Sequence, residues 1–199
     1  MYVVTADQKS SRTRADGVPA LLRALEQARP GPVRPFERTA GDEVQALFAA
    51  PDAVVAAVVE LLRLEDWWIG IGIGAVHHPL PRTARAGRGP AYVAARVAVE
   101  SAKSAGAGLC IAGSPGAERA EAAAWLLAAL LSRRTPEGWE VVQLMAGGAR
   151  QVDVAHRVGI SPQAVSRRLR VAGWSEEQRG RELLGWLLDQ ADREQEESG

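Results

Sequence analysis

The sequence predicts an α+β protein with a mixed first part and an all-helical second part. Up to about residue 115, short β-branched or glycine-alternating runs ("YVVTAD", "WWIGIGIGAV", "GLCIAGS") alternate with helical patterns. From "TPEGWEVVQL" onward there is no strand pattern, only apolar residues at helical spacing, broken by "AGGA", "GISP" and "AGWS". The chain has 199 residues, 47% of them hydrophobic, which is enough for two small cores. The expected division is 1–115, a connecting helix 116–134, and a helical domain 135–199.

The elements follow in order. "YVVTAD" is a strand ending in Asp7, and "QKSSRTRADG" is a polar loop. "VPALLRALEQA" sets Leu21, Leu22 and Leu25 on one helical face, and "RPGPVRP" ends it. "PFERTA" leads into the turn Gly41-Asp42-Glu43. "EVQALFAA" and "PDAVVAAVVELLRL" are helical in spacing, with Pro51 at a break or helix start. "DWWIGIGIGAV" is a strand with glycine at every second place, as expected where backbones pack closely. "PAYVAARVAVESAKSAG" is a helix burying Tyr92, Ala95, Val99 and Ala102. "AGLCIAGS" is a further strand, with Cys110 buried in it. "AERAEAAAWLLAALLSRR" is the connecting helix. The tail "DREQEESG" is acidic and expected to fray. Of the tryptophans, Trp67 and Trp68 are expected to be one core and one interface residue. Trp125, Trp139, Trp174 and Trp186 are expected to pack the helical half.

Composition excludes several classes. Formal net charge is zero and the pI about 6.9, so no global field draws the chain to nucleic acid or membrane. A single cysteine excludes an internal disulfide and fits a reducing compartment. No stretch approaches the ~20 apolar residues of a membrane span, and the first 30 residues lack the form of a signal peptide. A cytoplasmic protein with no membrane partner is expected. The pair His77-His78 reads as solvated.

Residues 150–174 carry a specific pattern. Val154, Ala155 and Val158 form the apolar face of a short helix, and Gly159 follows where a left-handed cap would sit. Ser161 is a good N-cap, Pro162 suits the first helical position, and Val165 and Leu169 give the buried face of a second helix. This is the pattern of a helix-turn-helix. Its outer face carries Gln163, Ser166, Arg167 and Arg170, with Arg168 beside them. These side chains suit base edges and phosphates. Charge is segregated to match: residues 150–170 hold five Arg and one Asp, whereas acids dominate 182–197. Double-stranded DNA is the expected partner, with Arg150 opening the helix that crosses the backbone. "GISPQAVSRRL" resembles the recognition helix of many bacterial regulators, and "TPEGWEVVQLMAGGAR" resembles the leading helix of sigma-region-4 or LuxR-type domains. Proteins of this kind commonly pair on two half-sites, so a homodimer is expected.

The Gly41-Asp42-Glu43 turn admits two readings from its residues. Asp42 could cap a following helix, with Glu43 favoured by the helix dipole. Alternatively, Asp42 and Asp7 could gather a divalent cation with phosphate oxygens.

Asp7 at the end of the first strand, "RTAGDEVQALF", "WWIGIGIGAV" and "GRGPAYVAARVAVESAKSAGAGLCIAGSP" together resemble the class III nucleotidyl cyclase domain, a relative of the GGDEF palm fold. "TADQKSSRTR", "GDEVQALF", "IGIGIG" and "GPAYVAAR" resemble more narrowly the bacterial SatD-like family. The resemblance spans about residues 1–115. It implies a ferredoxin-like βαββαβ core, with the turn carried on a β-hairpin and Asp7 and Asp42 as holders of Mg with a nucleotide. It also implies a ligand pocket of Asp7, Gly41, Asp42 and Arg96, with Glu43 nearby and Lys9, Ser10, Ser11 and Arg12 able to cap phosphate. Other positions depart from the cyclase pattern. Tyr92 stands where the transition-state Asn belongs, Arg38 where the purine-selecting Lys belongs, and the base-reading Asp is absent near Arg88 and Gly89. Arg96 keeps its place. Each such loss costs ~10²–10³ in rate, so cyclisation is not expected.

The favoured expectation is a transcriptional regulator whose cyclase-like part senses a nucleotide-type ligand or mediates dimerisation. The rivals are a metal-dependent nucleotide-processing enzyme using Asp7 and Asp42, and a protein-interaction module.

Overall fold

The structure, a computed structural model, describes residues 1–198 and is a mixed α+β protein. In chain order the elements are β1 (Tyr2–Gln8), α1 (Val18–Ala28), β2 (Arg34–Arg38), β3 (Glu43–Phe48), α2 (Pro51–Leu64), β4 (Trp67–Ile73), α3 (Pro90–Ala102), β5 (Leu109–Ala112), α4 (Ala117–Leu131), α5 (Pro136–Ala146), α6 (Gln151–Val158), α7 (Pro162–Val171) and α8 (Trp174–Ser198). No helix among the described residues is long and apolar enough to cross a membrane.

The five strands form one sheet in the order β2-β3-β1-β4-β5. The pairings are antiparallel except β4 with β5, which is parallel. Residues 43–48 are therefore strand, not helix. Val44, Ala46 and Phe48 alternate into the core, and β3 is hydrogen-bonded on both sides, to β1 and to β2. With no helix starting at residue 43, Asp42 has none to cap. The Gly-Asp-Glu segment is a β-hairpin turn, closed by Thr39 N–H to Glu43 O (3.0 Å) and Glu43 N–H to Ala40 O (3.0 Å).

Strand alternation divides the side chains between two faces. Tyr2, Val4, Ala6, Val44, Ala46, Ile69, Ile71, Ile73, Leu109 and Ile111 join one core with residues of α1, α2, α4 and α8. The opposite face of the sheet carries α3. Here Gly70 and Gly72 matter: a Cβ on Gly70 would lie 2.3 Å from the Val99 nitrogen, and one on Gly72 2.1 Å from the Ala91 oxygen. The helix answers with small residues, Ala91, Ala95, Ala98 and Ala102, toward the strand. Tyr92 is not in this inward row. Its ring packs against Gly87, and it is only partly buried.

Strand β5 lies at a sheet edge, where unpaired backbone groups would invite a foreign strand. Side chains of α4 occupy them. Glu121 accepts the Ile111 N–H at 2.7 Å, and the Trp125 indole N–H donates to Leu109 O at 2.7 Å.

Helices α5, α6 and α7 have a separate core of Val141, Val142, Val154, Ala155, Val165, Leu169 and Ala172. Helix α8 then returns to the sheet. Leu184, Leu188 and Ala191 sit in the core under the sheet, and the Tyr2 hydroxyl donates to Leu188 O at 3.2 Å. The acidic tail, expected to fray, is helical through Ser198, with Arg193 paired to Asp189 at 2.8 Å and Arg119 to Glu194. Trp186 is a surface residue, 58% exposed, not a packing one.

Candidate functional site

Two separate regions collect the chemistry-bearing residues. The first is the α6–α7 corner. Helix α6 ends at Gly159, whose φ of 72° lies in the left-handed region that glycine occupies without strain. Its cap is closed by Ile160 N–H to Ala155 O at 3.0 Å. Ser161 opens α7 as its N-cap, its Oγ accepting from the Ala164 N–H at 3.2 Å. Ser161 is thus committed to capping. Val165 and Leu169 anchor α7, and Gln163, Ser166, Arg167 and Arg170 share its exposed face at i, i+3, i+4 and i+7. Two predicted residues stand apart. Arg168 turns back toward α5, 3.8 Å from Glu140. Arg150 is at the N-cap position of α6, highly exposed, with its guanidinium on Asp153 at 2.8 and 3.1 Å.

The second region is a cleft of about 560 Å³ at the end of β1, lined by Asp7, Ser10, Ser11, Arg12, Asp42, Trp68 and Lys103, among others. Strand alternation sends Asp7 to the α3 side of the sheet, opposite Glu43 on β3 and Trp68 on β4. The loop after β1 is held by Gln8, whose amide donates to Ala15 O and accepts the Gly17 N–H, both at 2.8 Å. This brings Ser11 to Asp42. The hydrogen bond from Ser11 is the main cause that holds the Asp42 carboxyl below the ordinary carboxylate range. The nearby Lys103 charge adds to it. Lys103, at the C-terminal end of α3, contacts Asp7 Oδ2 at 2.7 Å and Glu100 Oε1 at 3.0 Å. The Asp7 contact is the largest cause raising its pKa.

Asp7, Ser10, Ser11, Arg12 and Asp42 come together as expected from sequence. Others do not line the cleft. Lys9 points away, its Nζ donating to Glu65 O at 2.8 Å and lying 4.7 Å from the centre of the Trp68 ring. Arg38 staples the hairpin, donating to Gly41 O at 2.7 Å and to Asp16 at 2.6 Å. Gly41 itself supplies the turn at φ 57°. Glu43 accepts from Thr39 Oγ1 at 2.5 Å. Arg96 is on the solvent side of α3. Sequence reading missed Lys103. Its one local sign was a cation at a helix C-terminus, where the dipole favours it.

The donor set does not fit a divalent-metal chelate. Two carboxylates face each other, but one oxygen of Asp7 is already taken by an ammonium group. Among the described residues no group of three or more His, Cys, Asp or Glu is gathered as metal ligands.

No family model, no curated protein and no solved structure matches this chain.

Proposed function

We propose that this protein is a DNA-binding transcriptional regulator, with α6 and α7 as a helix-turn-helix and the sheet as its ligand-sensing or dimerising part. One observation carries the reading. A short, well-capped helix, held by Val165 and Leu169 against a compact three-helix core, presents Gln163, Ser166, Arg167 and Arg170 to solvent in one row. Among the described residues none of these four side chains is hydrogen-bonded or ion-paired. The row's length and chemistry suit a major groove, with the flanking arginines on phosphates.

The order β2-β3-β1-β4, with β1 and β2 both antiparallel to β3, supports a ferredoxin-like, cyclase-like reading of the sheet. Exposed Val93 and Val97 on α3, and Leu126 on α4, offer apolar surface for the second copy that a two-half-site reader needs. The enzyme reading with Asp7 and Asp42 has less support, because one oxygen of Asp7 is already paired with the Lys103 ammonium at 2.7 Å.

The test is capture of genomic DNA fragments by the full-length protein, followed by affinity measurement on the recovered sites. Recovery of a common sequence, bound more weakly as salt rises, is the expected result. Random recovery would refute the proposal.

A further inference from the structure

We infer that Lys103 is a built-in cation of the Asp7–Asp42 cleft, standing in the place of a divalent metal and closing the site to one. Two carboxylates brought to one point repel each other and need a positive charge between or beside them. In this chain the protein supplies it. The ammonium of Lys103 contacts Asp7 at 2.7 Å and Glu100 at 3.0 Å. The backbone also favours a cation at this point, because Lys103 sits at the C-cap of α3, where the helix carbonyls end. Asp42 completes the arrangement from the hairpin turn, held by Ser11.

The consequence is chemical. A Mg²⁺ or Mn²⁺ ion entering here would have to displace an ammonium that is tethered and therefore at high local concentration. It would gain in exchange Asp7, Asp42 and the largely exposed Glu100. A metal-chelated triphosphate is accordingly not the class of ligand this cleft takes. A ligand of the regulator proposed above would enter without a divalent ion and meet Arg12 and Ser10 in the cleft lining. That last step rests on the regulator reading; the exclusion of metal does not.

The inference is tested with Mn²⁺ alone, by the loss of the free-ion electron paramagnetic resonance signal on full-length protein. Wild type is expected to bind no Mn²⁺ at submillimolar concentration. Lys103→Ala is expected to bind one ion at least tenfold more tightly, and Lys103→Ala with Asp42→Asn to lose it again. Lys103→Arg, which keeps the charge, should behave as wild type. Lys103→Gln serves as a second opener if the alanine variant melts early. Equal Mn²⁺ affinity in wild type and both opened variants would overturn the inference, and so would no binding in either opened variant. DNA binding by wild type is a separate readout, so failure here and failure of the regulator reading are distinguishable.

Discussion

The guanidinium of Arg134 meets the carboxylate of Glu177 at 2.7 Å, and both side chains are fully sealed from solvent. Arg134 lies in the link between α4 and α5, and Glu177 in the first turns of α8. The remaining polar atoms are shared out. Arg134 donates from Nε and Nη2 to Ala172 O, just past α7, at 2.9 and 2.7 Å, and its guanidinium stacks 4.4 Å from the Trp139 ring centre. Glu177 accepts twice from Arg181, at 2.8 and 2.5 Å. One buried pair thus ties the end of α7 to the helix that returns to the sheet.

Removing one partner should be costly, because the other charge is left buried. Glu177→Ala is expected to lose ~3–5 kcal/mol in urea unfolding. Replacing both with apolar residues of similar size, Arg134→Met with Glu177→Leu, should recover most of that. A double variant no more stable than Glu177→Ala alone would contradict this account.

Gly72 of β4 and Gly41 of the β2–β3 turn make a second, sharper contrast. Gly72→Ala places a methyl 2.1 Å from backbone that cannot move without shifting all of α3. A loss of ~3 kcal/mol or more is expected, at or beyond the usual cost of overpacking. Gly41→Ala meets nothing within 4 Å and has only its positive φ to overcome. About 1–2 kcal/mol is expected there. Thermal or urea melts of the two variants side by side decide it.

The glycine alternation was legible because it is local: every second residue of "IGIGIG" had to face a backbone. The cap at Gly159, Ser161 and Pro162 was legible for the same reason. The strand at 43–48 was implied by the resemblance but not legible from periodicity. Val44, Leu47 and Phe48 fit a helix, Val44, Ala46 and Phe48 fit a strand, and six residues are too few to separate the periods. Pairing with β1 and β2, which is non-local, decided it. Lys103 was invisible for a related reason. Its distance to Asp7 depends on where α3 ends along β1, a register that no single segment encodes. Likewise the apolar row Leu184, Leu188 and Ala191 reads as a helix face, but nothing nearby in the sequence says that the face belongs to the sheet.

Cys110 offers a pH-dependent check. Burial, with the neighbouring Glu121 carboxylate adding to it, pushes its thiol up to about 11. An ordinary thiol ionises near ~8.5. The native state therefore holds this proton more tightly than the unfolded state. The associated stability is fully present below ~8.5 and is lost as pH rises toward about 11. Stability of wild type should fall over that window more than that of Cys110→Ala. Alkylation of the native protein at pH 8 should be far slower than that of the urea-unfolded chain. Equal alkylation rates would show that the thiol is neither buried nor raised.

The arginines of α7 differ in where their side chains point. Arg167 and Arg170 stand on the exposed row, whereas Arg168 turns toward Glu140 on α5. If the row reads a major groove, Arg167→Ala should cost ~1–3 kcal/mol at a captured site, and much less on unrelated DNA. A phosphate-contacting arginine behaves differently. Its loss weakens binding to all sequences alike and lowers the salt slope by about one. Arg150 is placed for that role at the start of α6, once its pair with Asp153 opens. Asp153→Ala frees Arg150 and removes an anion from the approach to the duplex, so it should tighten binding at low salt. Arg168→Ala should change affinity least of the four. Fluorescence anisotropy on specific and scrambled duplexes at several salt concentrations gives all these quantities. Should Arg168→Ala prove the most damaging and Arg167→Ala neutral, the exposed row is not the reading surface, because the groove would then have to meet the side of α7 that faces α5.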